Sequence, residues 1–338
     1  MVAKVNITDV LYRINEDAAD FYQNYLHEQE PKEAWQYLYK RGIERSFSAI
    51  AFKIGASSSR MDDLYKHLKA EGFSDRDLLT SGLICKSRKG KYYDRFRNRI
   101  MFPICNIAGQ VIGFIGRLYK EIDMEAKFLY SRETAIFKKQ DNLYGLNVAA
   151  QRCHDSLILV EGIMDAIALN QAGFSNVAAL LGLKLTEEQV KLISQHTKEL
   201  VICFDGDEAG IANTRKALDT AAKGGLKVRA VTLPDRTDPA MFVLSYGFGE
   251  FFYLISSAQT PLSYLLSMVE KERLIKDDES LVNYLQTAAQ ILAKEESALA
   301  VDVHASTISK KYGVSKDIML AEVKRYRRKF KKESDNEK

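Results

Sequence analysis

The sequence predicts a mixed α/β protein: a central parallel sheet flanked by helices, preceded by an α+β region and followed by a helical bundle. Three observations carry this reading. Between residues 156 and 234, short apolar runs alternate with longer helical stretches. Acidic residues stand where several of those runs end. On either side of this region, apolar residues recur at helical spacing.

Taken in order, residues up to about 45 read as helices, because Leu11, Ile14, Ala18, Phe21 and Tyr25 recur three or four positions apart. From Met61 to Leu83 the pattern stays helical, in a short and charged style. At Lys91 the character changes. YYDRFRNRIMFPICNIAGQVIGFIGRLY carries β-branched and aromatic runs, and Ala108-Gly109 marks a hairpin turn. Residues 1–150 are therefore expected to form one α+β domain. LILVE (157–161), VAALLG (177–182), LVICFD (200–205) and KVRAVTLP (227–234) are expected strands, separated by helices over 163–172, TEEQVKLISQHT and 209–223. This defines an α/β domain over 151–255. Residues 256–338 are expected to be helical, ending in the basic run KRYRRKFKK, which frays into a solvated charged tail.

Bulk properties narrow the function classes. A formal net charge of +4 on 338 residues allows a nucleic-acid partner only through a locally basic groove. Four cysteines form no CxxC pair and five histidines have no ligand spacing, so no zinc is expected in this chain. No uninterrupted apolar run approaches ~20 residues, and the expected location is cytoplasmic with no membrane partner.

The positions of the acids suggest chemistry. Glu161 ends one apolar run, Asp205 and Asp207 end another, and Asp235 and Asp238 follow the last. Ligands of open α/β sheets bind at the carboxyl ends of strands. Carboxylates gathered there repel one another unless a hard divalent cation sits among them, which points to Mg²⁺ or Mn²⁺ with oxygen ligands. The pattern E-G-x-x-D, D-G-D-x-A-G, L-P-D-x-x-D-P is far more restrictive than any single strand-end aspartate. Gly162 and Gly206 are expected to let the backbone turn sharply, and Gly210 to allow close packing at a helix start.

VEGIMDAIAL, FDGDEAG and LPDRTDP together resemble the TOPRIM motifs of bacterial DnaG-type DNA primases. The flanks YDRFRNRIMFPI, GQVIGFIGR, KFLYSRETAIFKK, NLYGL and KRGI (40–43) are similar to the RNA polymerase (catalytic) core of that family, so the resemblance spans nearly the whole chain. It implies template-directed synthesis of RNA primers on single-stranded DNA from ribonucleoside triphosphates. Two or more ions of Mg²⁺ or Mn²⁺ would be held by Asp205, Asp207 and Asp238, with Glu161 as a ligand or acid/base residue. Glu161, Asp205 and Asp207 would be the catalytic set, with Asp165 facing the same site and Asp235 a further candidate. Arg95, Arg97, Arg99, Arg117, Lys127 and Lys139 would hold template and triphosphate. Arg95, Arg97 and Arg99 are expected on one side of a strand.

The sequence departs from the family at Ala240, where an aspartate is usual, and at Ile115, Tyr130 and Arg132, where glycine, asparagine and proline are usual. Either a trimmed part of a longer primase or a stand-alone primase-like core is expected, the second being favoured by the motif departures, with a separate zinc-ribbon protein and a replicative helicase as further partners. The competing readings are a TOPRIM metal-dependent nuclease and a non-catalytic nucleic-acid-binding subunit.

Overall fold

A computed structural model describes residues 6–29, 31–43, 45, 51–120, 124–153, 155–273 and 275–336. The chain separates into two compact units, Met1–Val228 with Leu233–Ser256, and Arg229–Thr232 with Ser257–Lys338.

The first unit begins with the helix Ile7–Glu28, started by Asn6, whose side chain accepts the Thr8 N–H. Its stripe of Ile14, Ala18, Ala19 and Tyr22 is buried in one core with Met101, Val111 and Phe114. These last three belong to a hairpin of β4 (Arg99–Cys105) and β5 (Val111–Leu118), the centre of an antiparallel sheet. The sheet has the order β1-β4-β5-β6, with β1 Gly55–Ala56 and β6 Phe128–Tyr130 at its edges, and β2 (Ile84–Lys86) and β3 (Tyr92–Asp94) form a separate antiparallel pair. The turn forms where expected: Gly109 takes φ +83, and the Asn106 side chain accepts the Ala108 and Gln110 N–H groups. A second helix, Lys32–Lys40, buries Ala34, Trp35 and Leu38, and the Trp35 indole donates to the Leu26 carbonyl at 3.0 Å.

The same unit holds β7, β8, β9 and the start of β10, which form a parallel sheet in the order β10-β9-β7-β8. Its strands are β7 (Leu157–Val160), β8 (Val177–Ala179), β9 (Glu199–Ile202) and β10 (Lys227–Ala230). β7 is flanked by β8 and β9, both parallel to it. From β7 the chain passes to β8 on one side and then to β9 on the other. The strand order thus reverses between β7 and β9, which creates a crevice at their carboxyl ends. The helix Pro239–Ser256, kinked at Gly247, was not anticipated from the sequence.

The second unit contains the helices Pro261–Arg273, Asp278–Ala293, Ala298–Tyr312 and Lys316–Asn336. Tyr284, Ala288, Leu292, Ala305 and Val323 are buried in a shared core. Gly313, at φ +67, ends the third of these helices in the left-handed conformation. The expected solvated charged tail is helical through the basic run, whose Lys and Arg side chains are exposed, and residues 337–338 lie outside the described residues. The helix runs to Asn336, because Met319, Val323 and Tyr326 bury a stripe that anchors the basic run to the bundle.

Candidate active site

Glu161 follows β7 directly and Asp205 lies just beyond β9. The two strands pair in register, Leu159 beside Ile202, so their carboxyl ends deliver these acids to the same edge. The loop after β10 completes the group. The Gly206 N–H donates to the Thr237 carbonyl at 2.9 Å, and a Cβ at Gly206 would lie 2.1 Å from the Pro234 carbonyl oxygen. Glycine is therefore needed for close approach, and this approach brings the Asp238 loop to Asp205. Gly162 has the same role: a Cβ there would stand 2.5 Å from the Asp165 carboxylate. The expected sharp glycine turn is corrected, since neither residue adopts a positive φ.

Most of the acids rest on helix N-termini, whose N–H groups lack partners within the helix. Asp207 accepts the Gly210 N–H at 2.7 Å as N-cap of the helix Glu208–Lys223. Asp238 accepts the Met241 N–H at 2.6 Å. Buried Asp165 accepts the Ala240 N–H at 3.1 Å. Glu161 receives the Asn213 amide at 3.5 Å. Asp205 differs. Its Oδ1 is buried and has no hydrogen-bond partner among the described residues.

Burial, with Glu161, Asp238 and Asp207 nearby, raises Asp205 to about 7. Burial beside Asp238 and Asp205 raises Asp165 to about 8, against the opposing pull of the Ala240 and Gly162 N–H groups. Glu161 is also raised by burial and by Asp207. Ionised, the cluster would carry more negative charge than its buried surroundings neutralise, and oxygen is its only donor type. Both features fit a hard divalent cation. Among the described residues, however, no three such side chains already converge on one ion position. The capping bonds above hold several carboxylates away from a common point.

Asp165, Asp205 and Asp238 line a cavity of about 250 Å³ together with Tyr37, Lys40, Arg41 and Arg117. Asp235 is elsewhere. Its side chain is 84% exposed and lies 3.9 Å from Arg236, so the acid nearest the strand end turns to solvent.

Residues 21–150 match the family described as DNA primase catalytic core, N-terminal domain, and residues 158–243 match the Toprim-like family. The DNA primase of Clostridium acetobutylicum is 36% identical over 307 residues, covering 90% of this chain and 50% of that protein. The DNA primase of Legionella pneumophila is 39% identical over 257 residues, covering 75% and 43%. Among solved structures, a DNA primase domain from Pseudomonas aeruginosa aligns with a TM-score of 0.73 at 34% identity, covering 93% of this chain and 99% of that one. The RNA polymerase domain of Mycobacterium tuberculosis primase DnaG, in complex with double-stranded DNA, aligns with a TM-score of 0.82 at 28% identity, covering 91% and 99%. The chain belongs to the DnaG-type primase family. It spans about half the length, or less, of the two curated relatives named here.

Set against this primase core, the expected basic residues divide into two groups. Arg117 lines the cavity. Lys139 stands 3.6 Å over the Tyr130 ring, and burial lowers its pKa. Lys127 is exposed. Arg95 donates to the Tyr130 carbonyl at 2.9 Å, and Arg97 to the Asp94 carbonyl at 2.7 Å. The expectation that Arg95, Arg97 and Arg99 share one strand face is corrected. β3 (Tyr92–Asp94) ends before them, and Asn98 at φ +54 breaks the extended chain before β4 begins at Arg99. Arg99 is 3% exposed. Its guanidinium donates to the Gly116, Ala126 and Lys127 carbonyls and pairs with Glu125. It ties β4 to β5 and to the segment before β6, and does not reach outward for phosphate.

Sequence reasoning assigned no role to Tyr37, Lys40, Arg41 or Asn213. The first three lie in YLYKRG, whose KRG supported the resemblance, and only the fold brings them to the same cavity as the carboxylates.

Proposed function

We propose that this chain catalyses template-directed synthesis of RNA primers on single-stranded DNA. A single cavity carries the reading: the strand-end carboxylates line it together with Arg41 and Arg117, within a primase-family core. A related DnaG primase catalytic domain has been solved bound to single-stranded DNA, which supports the template assignment. The regions would be the α+β core over 1–150, the metal-binding domain over 151–255 and the helical region over 256–338. A helicase and a zinc-ribbon protein are proposed as further partners.

Glu161, Asp205, Asp207 and Asp238 would hold Mg²⁺ or Mn²⁺, two or more ions, with Asp165 supporting them from below. Bound there, the ions would supply positive charge to the attacking 3′-hydroxyl and to the departing pyrophosphate. The chain's own residues do the rest. Arg117, Arg41 and Lys40 hold the triphosphate by charge-assisted hydrogen bonds and set its α-phosphorus against the attacking oxygen. Arg95, Arg97, Lys127 and Lys139 are assigned to the template backbone, which binds by charge and carries no sequence information. Asp165 keeps its place through the Ala240 and Gly162 N–H groups and so fixes the floor under Asp205.

The test is primer synthesis on single-stranded template with labelled ribonucleotides and Mg²⁺ or Mn²⁺, beside Asp205→Ala. Short RNA that disappears in the variant supports the reading. Cut template and no RNA would replace it with a nuclease. Template binding with neither product would leave a non-catalytic subunit.

A further inference from the structure

Two of the cationic residues that line the cavity meet at one side chain. Tyr37 is half-buried on the helix Lys32–Lys40, whose apolar face locks it in place through Ala34, Trp35 and Leu38. The Arg117 Nε–H donates to the Tyr37 hydroxyl at 2.9 Å. The same guanidinium lies 5.6 Å from the Tyr37 ring centre and 4.7 Å from that of Phe128, its partner across the β5–β6 ladder. Arg41, the C-cap of the same helix, places its guanidinium 5.8 Å from the Tyr37 ring.

Two like charges on one phenol ring repel each other. Among the described residues no carboxylate forms an ion pair with either, although three acids line the same cavity. The hydrogen bond also consumes a particular donor. With Nε held by Tyr37, the paired Nη edge of Arg117 remains for a planar, two-point contact with phosphate oxygens. The phenol oxygen accepts that bond, so its own O–H is still available to donate.

We propose that Tyr37 is a positioning residue for nucleotide binding. Its hydroxyl and ring orient Arg117, and its ring spaces Arg41, so that the two guanidiniums present one clamp for the phosphates of a ribonucleoside triphosphate. This rests on the functional reading above and adds to it a residue that carries no charge and that no motif comparison supplied. Tyr37 acts through Arg117, so removing its oxygen should matter only while Arg117 is present.

The experiment is a double-mutant cycle with Tyr37→Phe, Arg117→Gln and the pair, read by calorimetric titration with ATP and Mg²⁺ and by primer-synthesis kinetics. Phenylalanine keeps the ring that both guanidiniums contact, so the unfolding midpoint of Tyr37→Phe should match wild type. The expected result is ATP binding weakened roughly ten-fold by Tyr37→Phe, the loss of a hydrogen bond to a charged group. KM should rise by a similar factor with kcat within about two-fold. The pair should bind no more weakly than Arg117→Gln alone. Wild-type affinity in Tyr37→Phe, or two losses that simply multiply, would overturn the proposal. A coupled cycle in a protein that makes no primers would keep the clamp and overturn primer synthesis. A wild type that binds no ATP would overturn both.

Discussion

The carboxylate of Asp165 accepts the backbone N–H of Ala240 at 3.1 Å, joining the helix after β7 to the start of the helix after β10. Ala240 occupies the position where the third motif of the family usually carries an acid, and its side chain borders the cavity with Asp165, Asp205 and Asp238. The connection survives the missing carboxylate because it runs through the backbone.

Ala240→Asp should therefore restore a ligand without rebuilding the loop. Tighter Mn²⁺ binding, by several-fold in calorimetric titration, is the expected outcome. In chelator the same variant should be less stable by about 1 kcal/mol, since a further negative charge joins a crowded group. Unchanged metal affinity would show that position 240 lies outside the ion site.

Asp205→Asn should separate stability from function. The buried Oδ1 without a partner and the neighbouring acids make ionised Asp205 costly in the metal-free protein. A neutral amide should raise stability in chelator by about 1–2 kcal/mol. Wild type should gain stability on addition of Mn²⁺ or Mg²⁺, and the variant should gain little. Urea unfolding with and without metal measures both effects.

Arg99→Lys tests whether this buried arginine is structural. A lysine cannot reach the Gly116, Ala126 and Lys127 carbonyls and Glu125 together. A loss of about 3 kcal/mol or more is expected in urea unfolding, because carbonyls and a charge are left poorly paired. A variant of wild-type stability that binds template weakly would return Arg99 to the phosphate-binding group.

Asp94 lies away from the carboxylate cluster and provides a pH test. It is buried and accepts the Leu64 and Tyr65 N–H groups, each at 2.9 Å. Burial outweighs those bonds and raises it to about 6 from 3.8. An acid raised on folding contributes stability that is fully present below its unfolded pKa and is lost as pH rises to the folded value. The window is pH 4 to 6, and the loss is about 3 kcal/mol at most. Asp94→Asn should remove this part of the slope and stay close to wild-type stability at pH 4, because the amide, like the protonated acid present there, offers one good acceptor to the two N–H groups. Urea midpoints of both proteins at pH 4, 5, 6 and 7 give the difference.

The parallel sheet was legible because its strands are short apolar runs bounded by helices with clear starts, such as Thr186 capping Gln189 and Asp207 capping Gly210. The main acids were legible because strand ends converge in any sheet of this type. The arginines were less so. Alternation in DRFRNR suggests a strand, but Asn98 leaves the extended region and Arg99 turns inward. Periodicity cannot report a single left-handed residue, nor which way a long side chain will be satisfied.

The sequence by itself determined the alternation of strands and helices between residues 157 and 230 and the placement of Glu161, Asp205 and Asp238 near strand ends, and its motifs carried the resemblance to the family. Those follow from local periodicity, capping and motif spacing, which act over a few residues. Only the tertiary structure decided that Asp235 faces solvent, that Arg99 serves the fold, and that Tyr37 and Arg41 line the same cavity as Asp205. Those outcomes depend on contacts between residues far apart in the chain, where burial and the pairing of every polar group choose among orientations that the local sequence leaves equal.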